Sequence, residues 1–342
     1  MNWTVDRHAL PLSTPFGIAR GTTETSETVV IELAHEGTTG YGAVTPSAYY
    51  DETASSVAER LPELLDIVEA VGDPHAGQRI ERRLCEQAPD APAARSAVSI
   101  ALADLAAREL GCPLYRHWGL EPDRVPPTTY TVGIDAPERM AEKARAAAEA
   151  GFGQLKLKFG TDDDRARFEA VRAAVPGAEL RVDANAAWDA ETAIAAAGWL
   201  QEGGVTMLEQ PVRADDIEGL RRVTEVTDLA VCADESCRRP TDVSRLADAC
   251  DVVNVKLVKC GGLRAARRLI HAAEAHRLST MLGCMVESNA SLAAAVHLAP
   301  LVDYADLDGA LLLDSDPYDG VPLDGDRFAL GAVERGTGVS PT

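Results

Sequence analysis

Lysine is nearly absent from this chain: five residues in 342, against 28 arginines. Cysteine offers no scaffold either. The seven present (Cys85, Cys112, Cys232, Cys237, Cys250, Cys260 and Cys284) are odd in number and contain no C-x-x-C pair. Neither a disulfide framework nor a zinc site is signalled, and they read as reduced packing residues. No segment approaches the apolar run that spans a bilayer. The start, "MNWTVDRHALPLSTPFG", has no apolar core of signal-peptide length, which makes the cytoplasm the expected address. Positive charge is short overall. A formal net charge of -21 and a pI near 4.7 exclude nucleic acid and anionic membranes as expected partners, since both would repel the protein.

What is present divides into two textures. A chain of this length predicts one large α/β domain with a smaller companion. Residues 1–125 read as α+β: "ETVVIELAHEGTTGYGAV" alternates and breaks at His35-Glu36-Gly37 as a hairpin does, and two helical patterns follow, "ASSVAERLPELLDIVEAVG" and "APAARSAVSIALADLAARELG". From 126 to 310, short apolar runs alternate with Ala-rich amphipathic stretches. Lys158, Asp183, Glu209, Asp234, Lys256, Met281 and Asp306 recur at steps of 22 to 26 residues. Eight strands at that period, each returning through a helix, predict a closed parallel barrel, with an open doubly wound sheet as the alternative. Residues 311–342 are turn-rich and are expected to cross back to the first domain.

Barrel strands are expected to be apolar throughout, yet here nearly every one ends in charge: Lys156 and Lys158, Asp183, Glu209, Asp234, Lys256, Asp308. Those ends are where active sites of a barrel are built. Each carboxylate alone could be a helix cap or a turn residue. Three on adjacent strands, about 4.8 Å apart, would crowd like charges unless a cation joined them, and all-oxygen ligation favours Mg²⁺ first and Mn²⁺ second. Lys156 and Lys158 fall on the second strand and Lys256 on the sixth, facing each other across the barrel. Arginine cannot carry protons near neutral pH, whereas a lysine with a lowered pKa can. Lys259 reads as structural.

The segments "KLKFG", "RVDANAAW", "LEQPV", "CADES", "NVKLVKCGG" and "DLDG", in this order, resemble the muconate-lactonizing subgroup of the enolase superfamily, and within it the dipeptide epimerases of the L-Ala-D/L-Glu type. The resemblance covers almost the whole chain. It implies a modified (β/α)7β TIM barrel with an N-terminal α+β capping domain, and one Mg²⁺ held by Asp183, Glu209 and Asp234. It also implies Lys158 as base on one face of the substrate and Lys256 as acid/base on the other, with Lys156 beside the metal-bound carboxylate lowering the pKa of Lys158. Asp306 and Asp308 would meet the α-ammonium of a dipeptide; Arg20, Glu287 and Ser288 are candidate contacts to its distal side chain. The implied activity is epimerisation of L-Ala-D/L-Glu or a related dipeptide, of the kind released in peptidoglycan recycling, by a homo-oligomeric isomerase. An o-succinylbenzoate synthase, a muconate-type cycloisomerase and a non-catalytic binding member remain alternatives. The chain departs from many relatives at Gly42-Ala43-Val44, where a glutamate follows the glycine.

Overall fold

The computed structural model describes residues 1–342. Strands β1 (Asn2–Ile18), β2 (Gly21–His35) and β3 (Thr38–Val44) form an antiparallel sheet. The β2–β3 turn is the two-residue loop Glu36-Gly37, both at positive φ (46° and 82°), the geometry whose twist matches that of the strands it joins. Helices α1 (Ala54–Val71) and α3 (Pro92–Glu109) cover this sheet, and α2 (Gly77–Gln87) packs on the two of them. The sequence patterns gave α1 and α3 but not α2, whose only buried residues are Ile80 and Leu84. A two-residue apolar stripe amid arginines and glutamates is too thin to register as periodicity. At β3, a Cβ on Gly42 would collide with the backbone of α3, so sheet and helix meet without an intervening side chain. Ala43, next to Gly42, is fully buried.

A short helix, α4 (Leu114–His117), leads into eight parallel strands: β4 (Tyr130–Val132), β5 (Gln154–Lys158), β6 (Glu179–Asp183), β7 (Val205–Glu209), β8 (Ala230–Ala233), β9 (Val252–Val255), β10 (Ser279–Gly283) and β11 (Tyr304–Asp306). Their order in the sheet is sequential, with no reversal point, which excludes the doubly wound alternative. The ends meet through a bridge between Thr128 and Ala305 and a 2.7 Å hydrogen bond from the Leu307 amide to the Thr128 hydroxyl. Between the strands run α5 (Pro137–Glu149), α6 (Asp164–Ala174), α7 (Ala190–Glu202), α8 (Ile217–Val226), α9 (Val243–Leu246), the single turn α10 (Leu257–Cys260), α11 (Leu263–Ala275) and α12 (Asn289–Val296). The fold is a parallel eight-stranded (β/α) barrel with an N-terminal α+β domain built on an antiparallel sheet. No helix is long and apolar enough to cross a membrane.

The strands are not apolar throughout, as a simple barrel reading expects, because their two faces have different partners. Leu155, Leu157, Leu180, Val182, Leu208, Val231, Val253 and Val255 join the main core with the helices. The alternate residues face the barrel axis: Met207, Cys232, Val252 and Met281 form a separate small cluster low in the barrel, and charged residues lie above it.

The last thirty residues return to the cap. The Asp314 amide bonds Pro11 O at 2.9 Å, and Thr337 donates twice to Asp104 on α3, at 2.6 and 2.9 Å. Near this seam His297 is buried, accepts from the Tyr115 amide at 2.9 Å and stacks on the Tyr115 ring. Burial lowers its pKa from 6.5 to about 4. The unfolded chain therefore binds the extra proton first as pH falls through this window, and stability is lost there, about 3 kcal/mol by pH 4. Urea unfolding of wild type and His297→Gln at pH 7 and pH 4.5 checks this: the variant starts less stable but has the shallower acid loss. Equal losses in the two proteins would assign the acid sensitivity elsewhere.

Candidate active site

Strand register puts the charged residues on one level. Lys158 is paired with Asp183 and Asp183 with Glu209 at the ends of β5, β6 and β7, while Asp234 follows β8 and Lys256 follows β9. They lie at the C-terminal mouth of the barrel, beneath a cavity of about 380 Å³ that residues of the capping domain, among them Phe16, Ile18 and Tyr50, also line. Lys156, Lys158, Lys256, Asp234, Asp306, Asp308 and Arg20 line the cavity. Asp183 and Glu209 are fully buried at its floor.

An ammonium lattice holds these carboxylates. Lys156 Nζ bonds Asp306 and lies 3.3 Å from Glu209 and 3.8 Å from Asp183. Lys158 Nζ meets Asp183 Oδ2 at 2.5 Å, and Lys256 Nζ meets Asp234 Oδ2 at 2.8 Å, so these two nitrogens stand at opposite ends of the row Asp183–Glu209–Asp234. Asn254 donates to Glu209 at 2.7 Å, and the Gln210 carboxamide oxygen accepts from the amides of Asp234 and Ser236, pinning β8's end to β7's.

Two carboxyls are left short of positive charge. Burial, then the neighbouring Asp183 charge, pushes Glu209 up to about 7; burial, then Asp306, pushes Asp308 up to about 6. For Asp306, burial acts upward as well, but Lys156 overcomes it and holds the group at about 2. A lysine that carries protons near neutral pH is expected to have a lowered pKa. Lys256 goes the other way: burial lowers its pKa, but Asp234 and Glu209 outweigh burial and raise it well above the ordinary value.

Arg20 reaches down from the cap. Its Nη1 donates to Asn185 O at 2.6 Å and to Glu235 at 3.0 Å, with the guanidinium over the Tyr49 ring. Glu287 and Ser288 are not brought to the cavity, contrary to expectation. Glu287 accepts from the Ser291 hydroxyl at 2.7 Å, and Ser288 caps α12 and donates to Asp316 at 2.7 Å, so local helix-start bonds turn both away; their neighbours Met285 and Val286 line the cavity instead. Sequence reasoning missed Asn185, Glu235 and Asn254. A lone Asn inside "VVNVKLV", a run otherwise apolar up to its lysine, was the available signal, because a buried amide needs a polar partner. Thr129, which donates to Asp306, and the Thr131 amide, which donates to Asp308 at 2.5 Å, carried none.

The donor set fits a hard divalent cation. As the side chains stand, no three acidic, imidazole or thiol groups converge on one coordination point, because the oxygens turn to the lysines. The charge does not balance, however. Five buried carboxylates (Asp183, Glu209, Asp234, Asp306, Asp308) face four buried lysines (Lys156, Lys158, Lys256, Lys259), while Glu235 is matched by Arg20. Three buried acceptors beside the ligand positions, Asn185 Oδ1, Glu235 Oε2 and Asn254 Oδ1, have no partner. Mg²⁺ binds through carboxylates and keeps several waters, whose hydrogens need such acceptors.

Residues 2–119 match the mandelate racemase/muconate lactonizing enzyme N-terminal domain, and residues 139–339 match the enolase C-terminal domain-like family. The chain is 37% identical to an L-Ala-D/L-Glu epimerase of Bacteroides thetaiotaomicron, covering 96% of this chain and 85% of that protein. It is 38% identical to an L-Ala-D/L-Glu epimerase of Escherichia coli over 92% and 95% of the two chains. Among solved structures, a dipeptide epimerase from Enterococcus faecalis complexed with Mg and L-Leu-L-Tyr superposes with a TM-score of 0.91 at 33% identity, covering 99% of this chain and 98% of that one.

Removing the ammonium that three carboxylates share leaves buried charge uncompensated. Lys156→Met should lose about 3–5 kcal/mol of stability in metal-free buffer by urea unfolding. A loss below about 1 kcal/mol would show that the carboxylates do not depend on it.

Proposed function

Because this chain belongs to the mandelate racemase/muconate lactonizing enzyme family of the enolase superfamily, we propose that it is a Mg²⁺-dependent dipeptide epimerase acting on L-Ala-D/L-Glu or a related dipeptide. The observation that carries this reading is the pair of lysines at opposite ends of one carboxylate row, both lining the same cavity.

A proton α to a carboxylate is very weakly acidic because its removal adds a second negative charge to the group. Asp183, Glu209 and Asp234 would hold Mg²⁺, which when bound would supply positive charge where that second charge develops. Lys156, buried beside the same carboxylates, adds a fixed cation. Lys158 on β5 removes or returns the proton on one face, and Lys256 after β9 does so on the other; transfer from one to the other inverts the centre. Both lysines need a neutral form to act as bases; at Lys256 it is the carboxylates Asp234 and Glu209 that favour the ammonium, and a cation engaging Asp234 would loosen that hold.

Asp308 favours a dipeptide over a lactone or succinylbenzoate. It is buried, lines the cavity, accepts from the Thr131 amide and has no lysine or arginine partner. An α-ammonium would supply the missing charge, whereas a substrate without an amine would leave it unmatched. Wall-derived dipeptides in the cytoplasm, turned over by a homo-oligomer of this chain, are the setting this reading assigns.

Incubation with L,L-dipeptides in deuterated water should place deuterium at one α carbon together with inversion; no exchange across a broad library would reject the epimerase. Lys158→Ala and Lys256→Ala should each reduce inversion by about 10²–10⁴-fold, with exchange surviving only from the stereoisomer facing the remaining lysine. Full turnover in either variant would remove the two-base mechanism. Asp308→Asn should raise KM for dipeptides by about 10- to 100-fold, the value of a hydrogen bond to a charged group, with a smaller change in kcat. An unchanged KM would place the ammonium elsewhere.

A further inference from the structure

The turn that follows β9 carries two lysines, and they are treated very differently. Lys256 is the N-cap of α10 and lines the cavity, with one hydrogen bond, to Asp234 Oδ2 at 2.8 Å. Lys259, three residues on, does not line the cavity, and its side chain is 1% exposed. Its ammonium is bound three times: to Asp234 O at 2.6 Å, to Asn254 O at 2.9 Å and to Asp234 Oδ1. An ammonium has three hydrogens, so every donor is used. The two lysines therefore grip opposite oxygens of one carboxylate, one from the cavity and one from behind it.

The grip also crosses strands. Asp234 follows β8 and Asn254 lies in β9, so Lys259 fastens the two strand ends together through main-chain carbonyls and through the side chain that leads into the site. The turn itself is set against the capping domain. Gly261 and Gly262, at φ 92° and 106°, lie under Arg95 and against Ser99 of α3, and the Leu263 amide donates to the Ser99 hydroxyl at 3.1 Å. A residue with three fixed acceptors and no access to the cavity has no route to a substrate proton.

We infer that Lys259 is a positioning residue: it holds Asp234 in one orientation from behind, so that Oδ2 faces the cavity and Lys256 is left as the only mobile ammonium on that wall. This rests on the reading of Asp234 as a ligand of the divalent cation. The division of labour follows from geometry, since a point-charge ammonium can meet three acceptors arranged around it, whereas the planar guanidinium of arginine cannot. That accounts for a lysine here in a chain that otherwise prefers arginine.

The test is calorimetric titration of Mg²⁺ into metal-free protein, without substrate, for wild type, Lys259→Met and Lys259→Arg, with circular dichroism to establish folding. Losing a group that orients a metal ligand should weaken Mg²⁺ affinity by about 10–100-fold, and Lys259→Arg, although it keeps the charge, should not restore it. Unchanged affinity in a folded Lys259→Met protein would reduce Lys259 to a structural contact. Tighter binding would show that it competes with the cation, and would equally overturn the inference. Should the methionine variant not fold, Lys259→Gln, which keeps two donors, is measured in its place against the same outcomes. If wild type itself binds no Mg²⁺, it is the reading of the site as a metal centre that falls, which the same titration distinguishes.

Discussion

The structure of the site depends on burying more carboxylate than ammonium in one place. Desolvation disfavours every charged group there, and only mutual pairing keeps them ionised. Lys156 is the centre of that pairing, with Asp306, Glu209 and Asp183 all within 4 Å of its nitrogen. The remaining imbalance falls on Glu209 and Asp308, whose carboxyls are pushed up to about 7 and about 6. Uncompensated negative charge is thus left at two points, the Glu209 end and the Asp308 end, where the proposed function sets a hard cation and a substrate ammonium.

The rest of the molecule makes that concentration of charge tolerable. The outward faces of the strands are packed against helices, so the barrel wall is stabilised by apolar burial while the inward layer is given over to charge. The capping domain lines part of the cavity and is tied to the barrel at several places. Arg20 reaches a main-chain carbonyl of the barrel, and Ser99 and Arg95 pack against the turn after Lys259. Within the cap, Glu52 accepts from the amides of Ala93 and Ala94 at 2.8 and 3.2 Å, serving the start of α3, whose own preceding residue, Ala91, has no side chain to do so. The loop that lines the cavity through Tyr50 is fixed to α3 by that contact.

Much of the site could be read before any coordinates, and the reason is spacing. A strand–helix unit of nearly constant length brings every marker residue back to the same level of the barrel, so Lys158, Asp183, Glu209 and Asp234 could be aligned by counting. Residues whose roles depend on what crosses from elsewhere could not be found in this way. Glu287 and Ser288 follow a strand end as the others do, yet helix-start hydrogen bonds claim them. Lys259, read as structural, does pair with a carboxylate, but nothing in "NVKLVKCGG" says which one, or that main-chain carbonyls from two strand ends take its other hydrogens. Helix α2 escaped because it buries two side chains only.

The order of the barrel strands and the level of the charged residues at their ends follow from the sequence alone, because periodicity and register are local properties that repetition amplifies. Which oxygen each ammonium takes, which lysine is free to face a substrate, and which polar residues are turned away were decided only by the folded structure. Those outcomes are set by competition among buried partners on different strands, and the winner depends on distances that sequence separation does not encode.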